Sequence, residues 1–114
     1  MPTRYYLRFP DASRARGSDP ALSFRSQSAE GMAGELQDAL RSDALFQRWR
    51  GQQDDPDAVD PALGATDPSA DVQGSQHDLH AELVATTSLP GDLFKQRLRW
   101  LAGSHWELRD VTSA

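Results

Sequence analysis

The segment SDALFQRWRG, Ser42–Gly51, supports two readings, and they lead to different topologies of one α+β two-layer class. As a helix opened by Ser42 it buries Leu45, Phe46 and Trp49; as a strand it places Leu45, Gln47 and Trp49 on one face. Periodicity does not separate the two over so few residues. A break near Ser42 follows in either case, because the apolar phase of the segment before it does not run on into Leu45, Phe46 and Trp49.

That preceding segment reads as a helix. Ser28 is placed as its N-cap, and Met32, Leu36 and Leu40 recur at four-residue intervals beside Ala29, Ala33 and Ala39. Arg41 stands at the C-terminal end, where a cation complements the dipole. Gly31 and Gly34 each cost roughly 1 kcal/mol of helix propensity against Ala, and their bare backbone leaves room for close approach to a sheet. Further back, Ala21–Gln27 alternates, with Leu22 and Phe24 inward and Ser23 and Arg25 outward. Thr3–Phe9 alternates too, with Tyr5, Leu7 and Phe9 opposite Arg4, Tyr6 and Arg8. The two runs read as strands of a hairpin around the polar loop between Pro10 and Pro20. Thr3–Phe9 is then an edge strand, the basis for expecting a homodimer, although Arg4 and Arg8 discourage such pairing.

Toward the C-terminus, residues 51–78 contain Asp54, Asp55, Asp57, Asp60, Asp67, Asp71 and Asp78 and neither Lys nor Arg. They carry the whole negative balance: residues 1–50 hold eight Arg against six acids, residues 79–114 are neutral, and the chain totals −5. Pro56, Pro61 and Pro68 punctuate the stretch, and only Val59, Leu63 and Val72 can anchor it. It is expected to be an acidic mobile segment at about 51–78, able to lie over Arg4, Arg8, Arg25 or Arg109. Leu79–Thr87 then reads as a strand with Leu79, Ala81, Leu83 and Ala85 on one face. Ser88–Pro90 opens a helix with Leu93, Phe94, Leu98 and Leu101 as its stripe and Lys95, Arg97 and Arg99 toward its C-terminal half; Gly103 stops it. His105–Val111 closes the chain as a strand with Trp106 and Leu108 inward.

These elements predict an α+β two-layer domain over residues 1–114, an antiparallel or mixed sheet with two to three helices on one face. If Leu45–Arg50 is a strand, residues 21–112 follow the order of a ferredoxin-like split βαβ unit with Thr3–Phe9 as an extra N-terminal strand. The expected core is Leu7, Leu22, Phe24, Met32, Leu36, Leu40, Leu83, Phe94, Leu98, Leu101, Trp106 and Leu108.

Composition narrows the function. The chain has 114 residues, 38% apolar and 25% charged, and no cysteine. Thiol nucleophiles, thiolate metal sites and disulfides are excluded, which fits a reducing compartment. The N-terminus has no apolar leader core and no run approaches a membrane span, so a cytoplasmic protein without membrane contact is expected. Eleven Arg against the single Lys95 point to a GC-rich bacterial genome.

The sheet face away from the helices is expected to carry Arg4, Tyr6, Arg8, Arg25, His80, Glu82, His105, Glu107 and Arg109. The ordinary account is a solvated face with cross-strand ion pairs; the functional one is a surface for an anionic ligand or a protein partner. No metal site is assigned. Asp78, His80 and Glu82 share a strand face with His77 adjacent, but neighbours two apart stand about 6–7 Å from each other, and His105 helps only if it adjoins His80. The aspartates of 51–78 do not follow calcium-loop spacing. No nucleophile elbow, phosphate loop or dinucleotide fingerprint occurs, and no cofactor is expected. Nucleic acid is not expected as a partner either, since Tyr6 is the one aromatic on the open face and the chain is acidic. The sequence therefore points to an accessory or regulatory binding domain acting through protein contacts. The alternative is an enzyme or ligand-sensing domain with its site on the Arg/His/Glu face.

Overall fold

In the computed structural model, which describes residues 2–114, Ser42–Gly51 is helical. Ala44–Gly51 follows a break at Ser42, whose backbone is extended (φ −132°, ψ 166°) and whose hydroxyl donates to the Asp38 carbonyl at 3.1 Å. The helix buries Leu45 and Phe46 together and stacks Trp49 on Trp100 at 5.1 Å. A strand would have sent Leu45 and Phe46 to opposite faces.

The elements run β1 (Thr3–Phe9), α1 (Ala29–Arg41), α2 (Ala44–Gly51), β2 (Asp71–His77), β3 (His80–Thr87), α3 (Gly91–Ala102) and β4 (Glu107–Ser113). The four strands form one antiparallel sheet in the order β2-β3-β1-β4. This is an α+β fold whose strand–helix–strand–strand–helix–strand order is that of the ferredoxin-like split βαβ unit, but with Thr3–Phe9 and Asp71–His77 in the places periodicity gave to Ala21–Gln27 and Leu45–Arg50. Thr3–Phe9 is not an extra edge strand. It lies inside the sheet, paired with β3 on one side and β4 on the other, and the edge-based argument for a dimer through it falls.

Ala21–Gln27 is not a strand and forms no hairpin with β1. Asp19 nucleates a turn there, accepting from the Ala21 and Leu22 amides. The chain then crosses the end of α3, where the Phe24 amide donates to the Leu101 carbonyl at 2.8 Å. Leu22 and Phe24 are buried, so the alternation was real; helix packing satisfies it, not a ladder.

The second strand comes from the acidic stretch. β2 has one buried apolar residue, Val72, and α1 supplies what its sequence lacks. Gln37 Oε1 accepts from the Val72 amide at 3.0 Å, and Arg41 donates to the Ala70 carbonyl at 2.6 Å. Gln76 Oε1 accepts from the Ala29 amide at 2.8 Å. Close approach is made possible by Gly74, where a Cβ would stand 2.4 Å from the Ala29 carbonyl oxygen. The helix glycines do not serve that purpose: Gly31 faces Ser26 and Gly34 faces open space.

The core joins α1 and α3 to the β1 and β3 face carrying Tyr5, Leu7, Phe9, Ala81, Leu83 and Ala85, with Tyr5 stacked on Phe94 at 4.1 Å. Trp106 is only partly buried, and Leu108 is 38% exposed beside Val111 at 46%. Trp106 still packs against the core and Leu108 still takes the helix side opposite Leu7, but the helix layer leaves the flank of β4 uncovered, so neither is fully buried. Arg97 of α3 is fully buried. It donates to the Ala65 carbonyl at 2.8 Å and to the Leu93 carbonyl at 3.3 Å, and burial lowers its pKa.

Candidate functional site

Alternation fixes what the face opposite the helices displays. The register aligns Ser75, Glu82, Arg8 and Glu107 in one row across all four strands. The next row is Gln73, Val84, Tyr6 and Asp110, and the third is Asp71, Thr86, Arg4 and Thr112. Arg8 pairs with Glu107 at 3.3 Å, Arg109 approaches the same carboxylate at 4.0 Å, and Arg4 donates to the Thr86 hydroxyl at 3.5 Å. Arg109 reaches this side because the β1–β4 register shifts between Tyr6 and Leu7, which leaves it without a partner on β1.

Of the nine residues expected on this surface, Arg4, Tyr6, Arg8, His80, Glu82, Glu107 and Arg109 are on it. Arg25 is not, because its segment is no strand. It lines a cleft of about 170 Å³ in the helix layer with Glu35, Asp38 and Arg48. His105 lies in the turn between α3 and β4, beside Pro10, Asp11 and Arg14. The expected acidic cover is likewise not seen. Among the described residues the one ion pair made by an aspartate of residues 51–78 joins Asp57 to Arg50.

The sequence places His77 next to Asp78, His80 and Glu82 but does not show that it converges with them. Asp78 and Leu79 form a two-residue turn between β2 and β3, with Asp78 at φ 56°, a conformation that its short side chain tolerates. His77 and His80 therefore face each other across the hairpin, rings stacked at 5.0 Å and 14° apart. Glu82 reaches both: its oxygens lie 3.7 Å from His77 Nε2 and 3.6 Å from His80 Nε2. The Ser75 hydroxyl is 3.2 Å from His77 Nε2. The within-strand spacing argued against convergence of His80 and Glu82, yet their side chains lean together to 3.6 Å, and His77 joins them from across the turn. The signal was the Q-H-D-L-H run itself, a two-residue turn flanked by histidines.

The two sheet edges differ. Gln37 and Arg41 of α1 hold the β2 edge, whereas β4 is exposed along nearly its whole length. No family model matches the chain, and no curated protein or solved structure does.

Proposed function

We propose that the chain is a binding domain, an accessory or regulatory protein of a bacterial cytoplasm, that works through protein contacts at the β4 edge, and that its first partner is a second copy of itself. The observation that carries this is the self-complementary sequence of β4. Paired antiparallel about a dyad between Arg109 and Asp110, the strand sets Leu108 opposite Val111 and Arg109 opposite Asp110. Leu108 and Val111 share the helix side, aligned with Leu7 and Tyr5, and both are exposed large apolar residues. Such pairing would cover both and extend two sheets into one, with a continuous open face. The absence of cysteine and the excess of Arg over Lys support the compartment and the origin.

Sedimentation over a concentration series tests the pairing. The wild type is expected to dimerise and L108D to be monomeric with its fold intact. R109D sets like charges across the dyad and weakens the dimer several-fold, since each of the two pairs contributes about 0.2–1 kcal/mol. The double variant R109D/D110R restores opposite charges and recovers association. A strict monomer at all concentrations, or a double variant no better than R109D, would sink the proposal.

A further inference from the structure

The β2–β3 hairpin end carries a donor set that the open face as a whole does not need. Two imidazoles and a carboxylate converge there, all three pairs of donor atoms lying within 4.8 Å. Ligands held tetrahedrally at about 2.0–2.2 Å from zinc stand roughly 3.3–3.5 Å apart. The two nitrogen-to-oxygen separations of 3.7 and 3.6 Å are close to that spacing, and small side-chain rotations bring them to it.

The backbone beneath is braced. Gln76 Nε2 donates to the Asp78 and His80 carbonyls at 2.7 and 3.2 Å, while its oxygen holds the first amide of α1. The Ala12 amide donates to the Leu79 carbonyl at 2.9 Å from the other side. A turn fixed from two directions holds the histidines opposed without help from an ion, the preorganisation a metal site requires. Arg8, the cation aligned with Glu82, is taken by Glu107, which leaves the Glu82 oxygens to the histidines.

We propose that His77, His80 and Glu82 form a binding site for a divalent transition-metal ion, with zinc as the type case. Two neutral imidazoles and one carboxylate suit zinc and its neighbours and are poor hosts for magnesium or calcium, which take oxygen ligands. Three protein ligands leave a fourth position facing solvent on the open side of the sheet, free for water or for a donor from a bound molecule. The Ser75 hydroxyl, 3.2 Å from His77 Nε2, shares that nitrogen in the free protein and would give it up to the ion. The site lies at the edge away from β4 and does not depend on pairing there.

Titration calorimetry of the tag-free chain with Zn²⁺, at about pH 7.5 where imidazole is ordinarily neutral, tests the site. One ion per chain is expected. H77A, H80A and E82Q should each lower the affinity at least about tenfold, the size of loss that follows removal even of an outer partner of a metal ligand. H105A should bind as the wild type does. Co²⁺ in place of zinc should give a visible absorption band that H77A/H80A abolishes, while the far-ultraviolet dichroism of that variant stays native. The proposal is overturned if no saturable binding occurs, if H77A and H80A bind undiminished, or if excess Mg²⁺ or Ca²⁺ displaces the ion, which would assign it to the aspartates of residues 51–78.

Discussion

Asp67 joins the acidic stretch to the start of α3 through one carboxylate. It is 7% exposed and accepts from the Ser88 amide and the Thr87 hydroxyl, each at 2.8 Å, and from the Ser69 amide at 3.0 Å. Burial alone would raise its pKa, but the bonds from Ser88, Thr87 and Ser69 outweigh burial and hold it below the ordinary carboxylate value. A folded pKa below the unfolded one means that Asp67 stabilises the fold above about pH 4, the unfolded value. That contribution is lost as pH falls through the folded value. D67N, which turns an acceptor into a partial donor facing two donors, should cost about 1–3 kcal/mol at neutral pH. Denaturant melts should show the gap between wild type and D67N narrowing as the medium becomes more acidic than pH 4; a gap constant across that range contradicts this role. Arg97 works from the opposite side of the same contact. Its bond to the Ala65 carbonyl ties the stretch to α3 with no carboxylate partner among the described residues.

The strand β2 exists because α1 lies almost against its backbone. At Gly74 an added methyl would meet the Ala29 carbonyl oxygen at 2.4 Å and the Ala33 Cβ at 3.2 Å, and the first of these cannot yield without moving the helix. G74A is therefore expected to destabilise by about 1–3 kcal/mol, the range of overpacked sites, and to speed amide exchange over residues 71–77. A stability equal to wild type would show that α1 does not sit as described. The same contact explains what was legible in the sequence. Thr3–Phe9, Ala29–Leu40, His80–Thr87 and Leu93–Leu101 each bury an apolar set at the period of their element, so pattern alone found them. β2 turns Val72, Gly74 and Gln76 inward, and only one of the three is apolar; its anchors, Gln37 and Arg41, are more than thirty residues and twenty-nine residues away. Ala21–Gln27 misled for the converse reason, since one buried side looks alike in a strand and in a coil packed on a helix end. Seven of the nine expected surface residues were legible because strand alternation placed them. His77 was not, because its partner lies across a turn inside a stretch that composition marked as linker.

At the scale of the molecule the layers form a slab, 43 × 32 × 18 Å, with helices on one side and a polar sheet face on the other. Its two edges are treated differently: α1 side chains secure β2, and β4 keeps a free ladder with Leu108 and Val111 beside it. The proposed pairing surface and the proposed metal site thus stand at opposite edges of one face, each open to test without the other. The metal site depends on residues 71–77 pairing with β3, and the β4 edge depends on β1 lying inside the sheet. Interstrand nuclear Overhauser contacts between backbone protons test that arrangement most directly. Tyr6 should show contacts to both Val84 and Asp110, and Gln73 to Val84, matching the register of the four strands. Contacts from Thr3–Phe9 to Ala21–Gln27, with none from residues 71–77 to β3, would contradict it.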